Sequence, residues 1–109
     1  MKYLVYNKYM DYDNLFDRLY EHYEDMVTNG NFHGDDFDRL DSILQEIYKK
    51  DDQSSGIFYS LETEKEKINF LEDFDNACQY LIDNPNFEDE ECAEWVIADR
   101  TGEIPNILQ

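Results

Sequence analysis

Apolar residues recur at three- and four-residue steps along several stretches of this chain, which predicts a mainly helical fold. In the first stretch, from about Asp13 to Thr28, the stripe is Leu15, Phe16, Leu19, Tyr23, Met26 and Val27. Asn29-Gly30 is its stop signal, and Asp11 or Asp13 is placed to cap its start. The second, from about Asp36 to Lys50, carries Phe37, Leu40, Ile43, Leu44 and Ile47. Acids crowd its first half and Lys49 and Lys50 fall in its predicted last turn, both favourable to the helix dipole. The third has the clearest start. Thr63-Glu64-Lys65-Glu66 matches a capping box, and Ile68, Leu71, Phe74, Ala77, Cys78, Leu81 and Ile82 follow at helical spacing. Asn84-Pro85 ends it, because the residue before proline is pushed out of the α region. A fourth helix is expected from about Glu88 to Asp99. Glu88 to Glu91 would form its first turn, Cys92, Trp95, Val96 and Ala98 are candidates to pack, and Thr101-Gly102 closes it.

Between these stretches the pattern is ambiguous. Asp51 to Gly56 reads as a polar loop, and Ile57-Phe58-Tyr59-Ser60-Leu61 as a short strand or an extended apolar segment lying on the helices. Lys2 to Tyr6 reads either as an edge strand paired with that segment or as an extension of the first helix. The apolar tail Ile104 to Leu108 is expected to dock. The predicted fold is therefore a compact bundle of about four helices, with a short two-stranded β element left open between the N-terminus and residues 57–61.

Composition sharpens this. The chain holds 27 Asp or Glu against nine Lys or Arg, for a formal net charge of −18. Yet 41% of it is hydrophobic, with seven Phe, nine Tyr and one Trp, so it is equipped to bury a core as an acidic disordered tail is not. At 109 residues one domain is expected. Cys78 and Cys92 make no disulfide framework, no apolar run has the length of a membrane span, and no signal-peptide cleavage pattern follows Met1 to Tyr6. These features predict a cytoplasmic protein with reduced thiols. The charge disfavours direct contact with nucleic acid or anionic lipid and favours a basic partner, a class in which nucleic-acid-binding proteins are prominent.

The candidate surface follows from helical spacing. Asp13, Asp17, Glu21 and Glu24, with Asp25 beside them, lie along one face of the first helix at i, i+4, i+8 and i+11. One helical turn separates neighbours by ~6 Å along the axis. Phosphates advance ~3.4 Å per residue of each strand along a duplex axis and further along the strand path, so such a row can imitate them. Asp35, Asp36, Asp38 and Asp41 on the second helix, Asp51 and Asp52 in the loop, and Glu88, Asp89, Glu90, Glu91 and Glu94 on the fourth extend the set. The plain alternative is a solvated face, but few lysines are interspersed to neutralise it. Tyrosine suits interfaces, and Tyr12 and Tyr20 are candidates to sit among the carboxylates, as are Tyr3, Tyr6, Tyr9 and Tyr48. Tyr23 and Tyr80 read as core.

Other chemistries find little support. His22, His33, Cys78 and Cys92 have no zinc-ligand spacing, and Cys78 lies on an apolar stripe where a small hydrophobe belongs. Asp11-Tyr12-Asp13-Asn14 and Asp35-Asp36-Phe37-Asp38 begin like calcium loops but lack the glycine at the sixth position. No nucleophile elbow or phosphate-cradling glycine loop is present. No metal, cofactor or enzymatic activity is expected.

The segment Asp11-Tyr12-Asp13-Asn14-Leu15-Phe16-Asp17-Arg18-Leu19-Tyr20-Glu21 resembles the opening helix of the phage T7 antirestriction family, small acidic helical mimics of duplex DNA. Size and composition are also similar to those of acidic phage anti-CRISPR proteins. The strongly acidic C-terminal tail of the T7 family is not matched by Ile104-Pro105-Asn106-Ile107-Leu108-Gln109, which puts whole-duplex mimicry in doubt. The resemblance implies inhibition by occupancy: a phage protein in the bacterial host cell fills the nucleic-acid channel of a defence nuclease. A CRISPR effector is favoured because it holds nucleic acid in a basic channel and reads a short duplex motif with arginines; a restriction enzyme comes next. An immunity protein or antitoxin capping a toxic nuclease, or an acidic regulatory binding module, fits the same electrostatics.

Overall fold

Asp11 opens the first helix: its carboxylate accepts the Asn14 amide at 3.1 Å. The computed structural model describes residues 11–109. Five α-helices follow in order among these residues, with no strand: α1 Tyr12–Thr28, α2 Asp36–Tyr48, α3 Ser54–Ser60, α4 Glu64–Asp83 and α5 Asp89–Ala98. A 3-10 turn at Asn106–Leu108 closes the chain. The described part is compact, with a radius of gyration of 13.3 Å, and its buried apolar side chains form one cluster. No helix among the described residues is long and apolar enough to cross a membrane.

Helix α4 is the axis of the packing. Its capping box is formed, with the Glu66 amide donating to Thr63 Oγ1 at 3.1 Å and the Thr63 amide donating to Glu66 Oε1 at 3.3 Å. It runs unbroken to Asn84 and contacts α1, α2 and α5. Phe70, Leu71, Phe74, Ala77 and Cys78 are fully buried on it. Leu19 and Tyr23 of α1 and Leu40, Ile43 and Leu44 of α2 close over the same cluster. Phe16 stacks on Phe58 of α3 with ring centroids 4.8 Å apart, while Phe74 meets Phe16 edge-on at 5.8 Å. Ile104 and Leu108 are buried, so the apolar tail docks, with the final turn lying on α1.

Four expectations are corrected. Residues 57–61 form no strand: Ser54–Ser60 is a helix, and the bundle among the described residues has five helices. Ser54, Ile57, Phe58 and Leu61 are all buried, a spacing of i, i+3, i+4 and i+7 that seats one helical face and would split across the two sides of a strand. The suggested strand at Lys2 to Tyr6 and the tyrosines at 3, 6 and 9 lie outside the described residues. Helix α2 stops at Tyr48, not Lys50. Lys49 takes the left-handed conformation at φ 55°, and its amide closes on the Gln45 carbonyl at 2.8 Å. Helix α5 ends at Ala98 with Asp99 as its cap, before Thr101-Gly102. Trp95 and Ala98, expected to pack, are exposed, whereas Ala93 joins Cys92 and Val96 inside.

Candidate acidic groove

Because α3 is a helix, its N-terminal end and Tyr59 stand beside α1 and α2 and close one side of an open groove of about 520 Å³. Helix α1 supplies Asp17, Tyr20, Glu21 and Glu24 to its wall; α2 supplies Asp38 and Asp41. Phe16 and Phe37 reach it from the core, and α3 adds Ser54, Ser55 and Tyr59. No lysine, arginine or histidine lines it among the described residues.

Two tyrosines in this groove are partly exposed. Tyr20 is 37% exposed and Tyr59 50% exposed. Both contact Phe16, with centroids at 6.2 Å for Tyr20 and 6.0 Å for Tyr59. Tyr20 also packs on Phe37 at 5.3 Å. The Tyr59 hydroxyl reaches Asp17 Oδ1 at 3.4 Å, a long contact. Partial burial, then Glu24 and Asp41, push the Tyr20 hydroxyl above its ordinary range. Partial burial, then chiefly Asp17, does the same at Tyr59. Both phenols therefore stay neutral donors at physiological pH.

The carboxylates expected to share one surface divide into three groups. Asp17, Glu21, Glu24, Asp38 and Asp41 converge on the groove with Tyr20. Asp41 also works inside the fold, since Ser54 donates both its amide (3.0 Å) and its hydroxyl to the Asp41 carboxylate and so starts α3. A second group faces elsewhere. Asp13 is exposed and pairs with Lys67 Nζ at 3.5 Å. Asp25 borders a separate depression that also contains Arg18 and His22. Asp35 precedes α2 without a side-chain cap bond, and Asp36 accepts the His33 amide at 3.3 Å. The third group belongs to α5, none of whose residues lines the groove. Glu88 is the cap residue rather than a first-turn residue, while Glu90 and Glu91 are exposed in the first turn. Asp89 is half-buried and structural: Arg39 Nε donates to it at 3.0 Å while the same guanidinium donates to the Pro85 and Phe87 carbonyls. Tyr12 is corrected outright: at 7% exposure it belongs to the core, not to the surface carboxylates.

Tyr48, also expected among surface carboxylates, donates instead to the buried Asp73 at 2.6 Å. Arg100 grips the same carboxylate through two nitrogens, Nε to Oδ1 at 3.0 Å and Nη2 to Oδ2 at 2.7 Å. Beside it, the buried Glu72 accepts the Thr101 amide at 2.9 Å, the Thr101 hydroxyl at 2.8 Å and the Gly102 amide at 2.9 Å. Gly102 sits at φ 81°, where glycine is favoured. Sequence reasoning missed this pair of acids entirely. Their one signal is position, on the buried side of a helix between Leu71 and Phe74. It also missed Tyr59, because a strand reading of 57–61 placed that side chain without reference to α1.

Two isolated thiols complete the interior. Cys78 and Cys92 are both buried and free, and burial raises the Cys78 thiol well above its usual range, which makes it a poor nucleophile. Among the described residues no three His, Cys, Asp or Glu side chains are grouped to hold a metal ion. No family model, curated protein or solved structure matches the chain.

Proposed function

We propose that this protein is a DNA-mimic inhibitor that docks on the basic nucleic-acid-binding surface of a bacterial defence nuclease and blocks DNA access. A CRISPR effector is the favoured target and a restriction enzyme the next. The observation that carries the reading is the acidic groove together with the exposed face of α1 that runs past it. Asp17, Glu21, Glu24 and Asp38 are exposed there, and no basic side chain of the described residues lines the groove to neutralise them. Such a field attracts a cationic surface from a distance and speeds encounter, while close-range pairing with arginine supplies specificity. Like charges held together oppose compaction, so a fold that keeps them exposed is best explained by a partner that neutralises them.

The test is capture of a partner from bacterial lysate at moderate salt, release by duplex DNA, and a cleavage assay on the released protein. A nuclease displaced by DNA and inhibited by this chain supports the reading. A partner indifferent to DNA refutes it. A toxin encoded beside this chain as the displaced nuclease would move the assignment to an immunity protein.

A further inference from the structure

We propose that the groove between α1, α2 and α3 is a receptor for an arginine side chain on an extended basic segment of the partner. The inference rests on the partner reading above and deepens it by naming the group recognised and where it goes. Diffuse attraction between an acidic surface and a basic one needs no concavity and no exposed rings. This groove has both. Its volume of about 520 Å³ falls within the ordinary range of ligand sites, and part of its lining is aromatic. Tyr20 and Tyr59 are partly exposed beside Phe16, and the carboxylates of Asp17, Glu21, Glu24 and Asp38 line the same groove.

That combination discriminates between cations. A guanidinium is planar and weakly hydrated, so it can stack on a tyrosine face while its edge donates two parallel bonds to a carboxylate. An ammonium is a compact, strongly hydrated point charge that gains from the carboxylates and less from the rings. Charge complementarity alone would select both equally; the rings favour arginine. The neutral phenols add hydroxyls at the groove edge, where Tyr59 already approaches Asp17. Helix α3 completes the receptor, carrying Tyr59 into the groove lining and against Phe16 of α1.

The experiment uses the full chain with end-blocked hexa-arginine and hexa-lysine as probes, followed by calorimetry at low and moderate salt and by amide chemical shifts. The arginine peptide should bind about fivefold tighter than the lysine peptide, with shifts concentrated in residues 16–24, 37–41 and 53–59. Tyr59→Ser should remove most of that preference, weakening the arginine peptide more than the lysine peptide. Its side chain is half exposed, so the fold should be retained, as a thermal melt can verify. Tyr20→Ala should do the same where its melt remains cooperative. Equal affinity for the two peptides, a preference that survives Tyr59→Ser, or shifts centred on α5 would each overturn the proposal. The two readings fail separately. If Tyr59→Ser captures and inhibits a DNA-displaceable nuclease as well as the unaltered chain, the arginine receptor is wrong and the mimic stands. If the groove selects arginine and no DNA-displaceable partner exists, the mimic is wrong and the receptor stands.

Discussion

Two sets of carboxylates in this molecule behave in opposite ways. Glu72 and Asp73 on α4 are buried, and every oxygen is used: Arg100, Tyr48, Thr101 and Gly102 bind them and fasten the C-terminal segment to the core. Glu21, Glu24 and Asp38 at the groove are exposed and form no side-chain hydrogen bond or ion pair with other described residues. The same residue types thus serve as internal fasteners in one place and as an uncompensated field in the other. A net charge of −18 counts both together, although only the second set is available to a partner. Burial decides the difference. An unpaired carboxylate inside would be strongly unfavourable, so interior acids come with donors, whereas water solvates exposed ones.

Charge reversal at Asp13, Asp17, Glu21 and Glu24 acts on the exposed carboxylates and leaves the buried pair intact. Partner affinity should fall by at least about a hundredfold, since each lost pairing with a basic side chain is worth roughly 1 kcal/mol or more. The thermal melt should hold, because these side chains contribute only the Asp13–Lys67 pair and the long Tyr59–Asp17 contact, and surface pairs of this kind are worth about 0–1 kcal/mol. Full inhibition by the fourfold variant would remove this face as the site.

The interior set should respond in the reverse manner. Asp73→Ala strands the Tyr48 hydroxyl and the Arg100 guanidinium, and is expected to destabilise the fold by about 3 kcal/mol in urea unfolding. Partner affinity, measured on the folded fraction, should be unchanged.

These contrasts also show what could be read from the chain. The α1 and α4 stripes, the Asp11 cap and the Thr63–Glu66 box are local, because a helix needs only its own backbone partners and an apolar face. Asp73 was not legible. Whether a carboxylate is exposed or buried depends on Arg100 and Tyr48, each more than twenty residues away in sequence.

A smaller effect concerns pH. Asp75, half-buried and accepting from Tyr23, has its carboxyl raised above 3.8, chiefly by burial. A raised carboxyl favours the protonated fold. Its contribution to stability is complete below the unfolded value near 3.8 and is lost as pH rises through the folded value. Melting temperature should therefore rise as pH is lowered toward 3.8, helped by relief of surface repulsion. Asp75→Asn should flatten part of that rise and leave the part due to surface charge, which added salt should suppress. A flat profile in the unaltered chain would contradict the assignment.

The smallest expected change tests the end of α2. Lys49 is a non-glycine residue in the left-handed region, so Lys49→Gly should raise stability by about 1 kcal/mol or less in the same unfolding assay. It lies outside both carboxylate sets and should leave partner binding unaltered.

Alone, the sequence determined that the chain is mainly helical, where α1, α2 and α4 begin, and that acid far exceeds base. Periodicity and capping act within a few residues, and charge is a sum over the chain, so none of these requires knowledge of neighbours in space. The tertiary structure decided that Ser54–Ser60 is a helix, that Tyr59 therefore meets α1, and that Tyr12 is inside. It also decided which acids are fasteners and which form the groove wall. Those outcomes depend on which surfaces pack together, and a linear pattern of apolar residues records that a face is buried without recording what covers it.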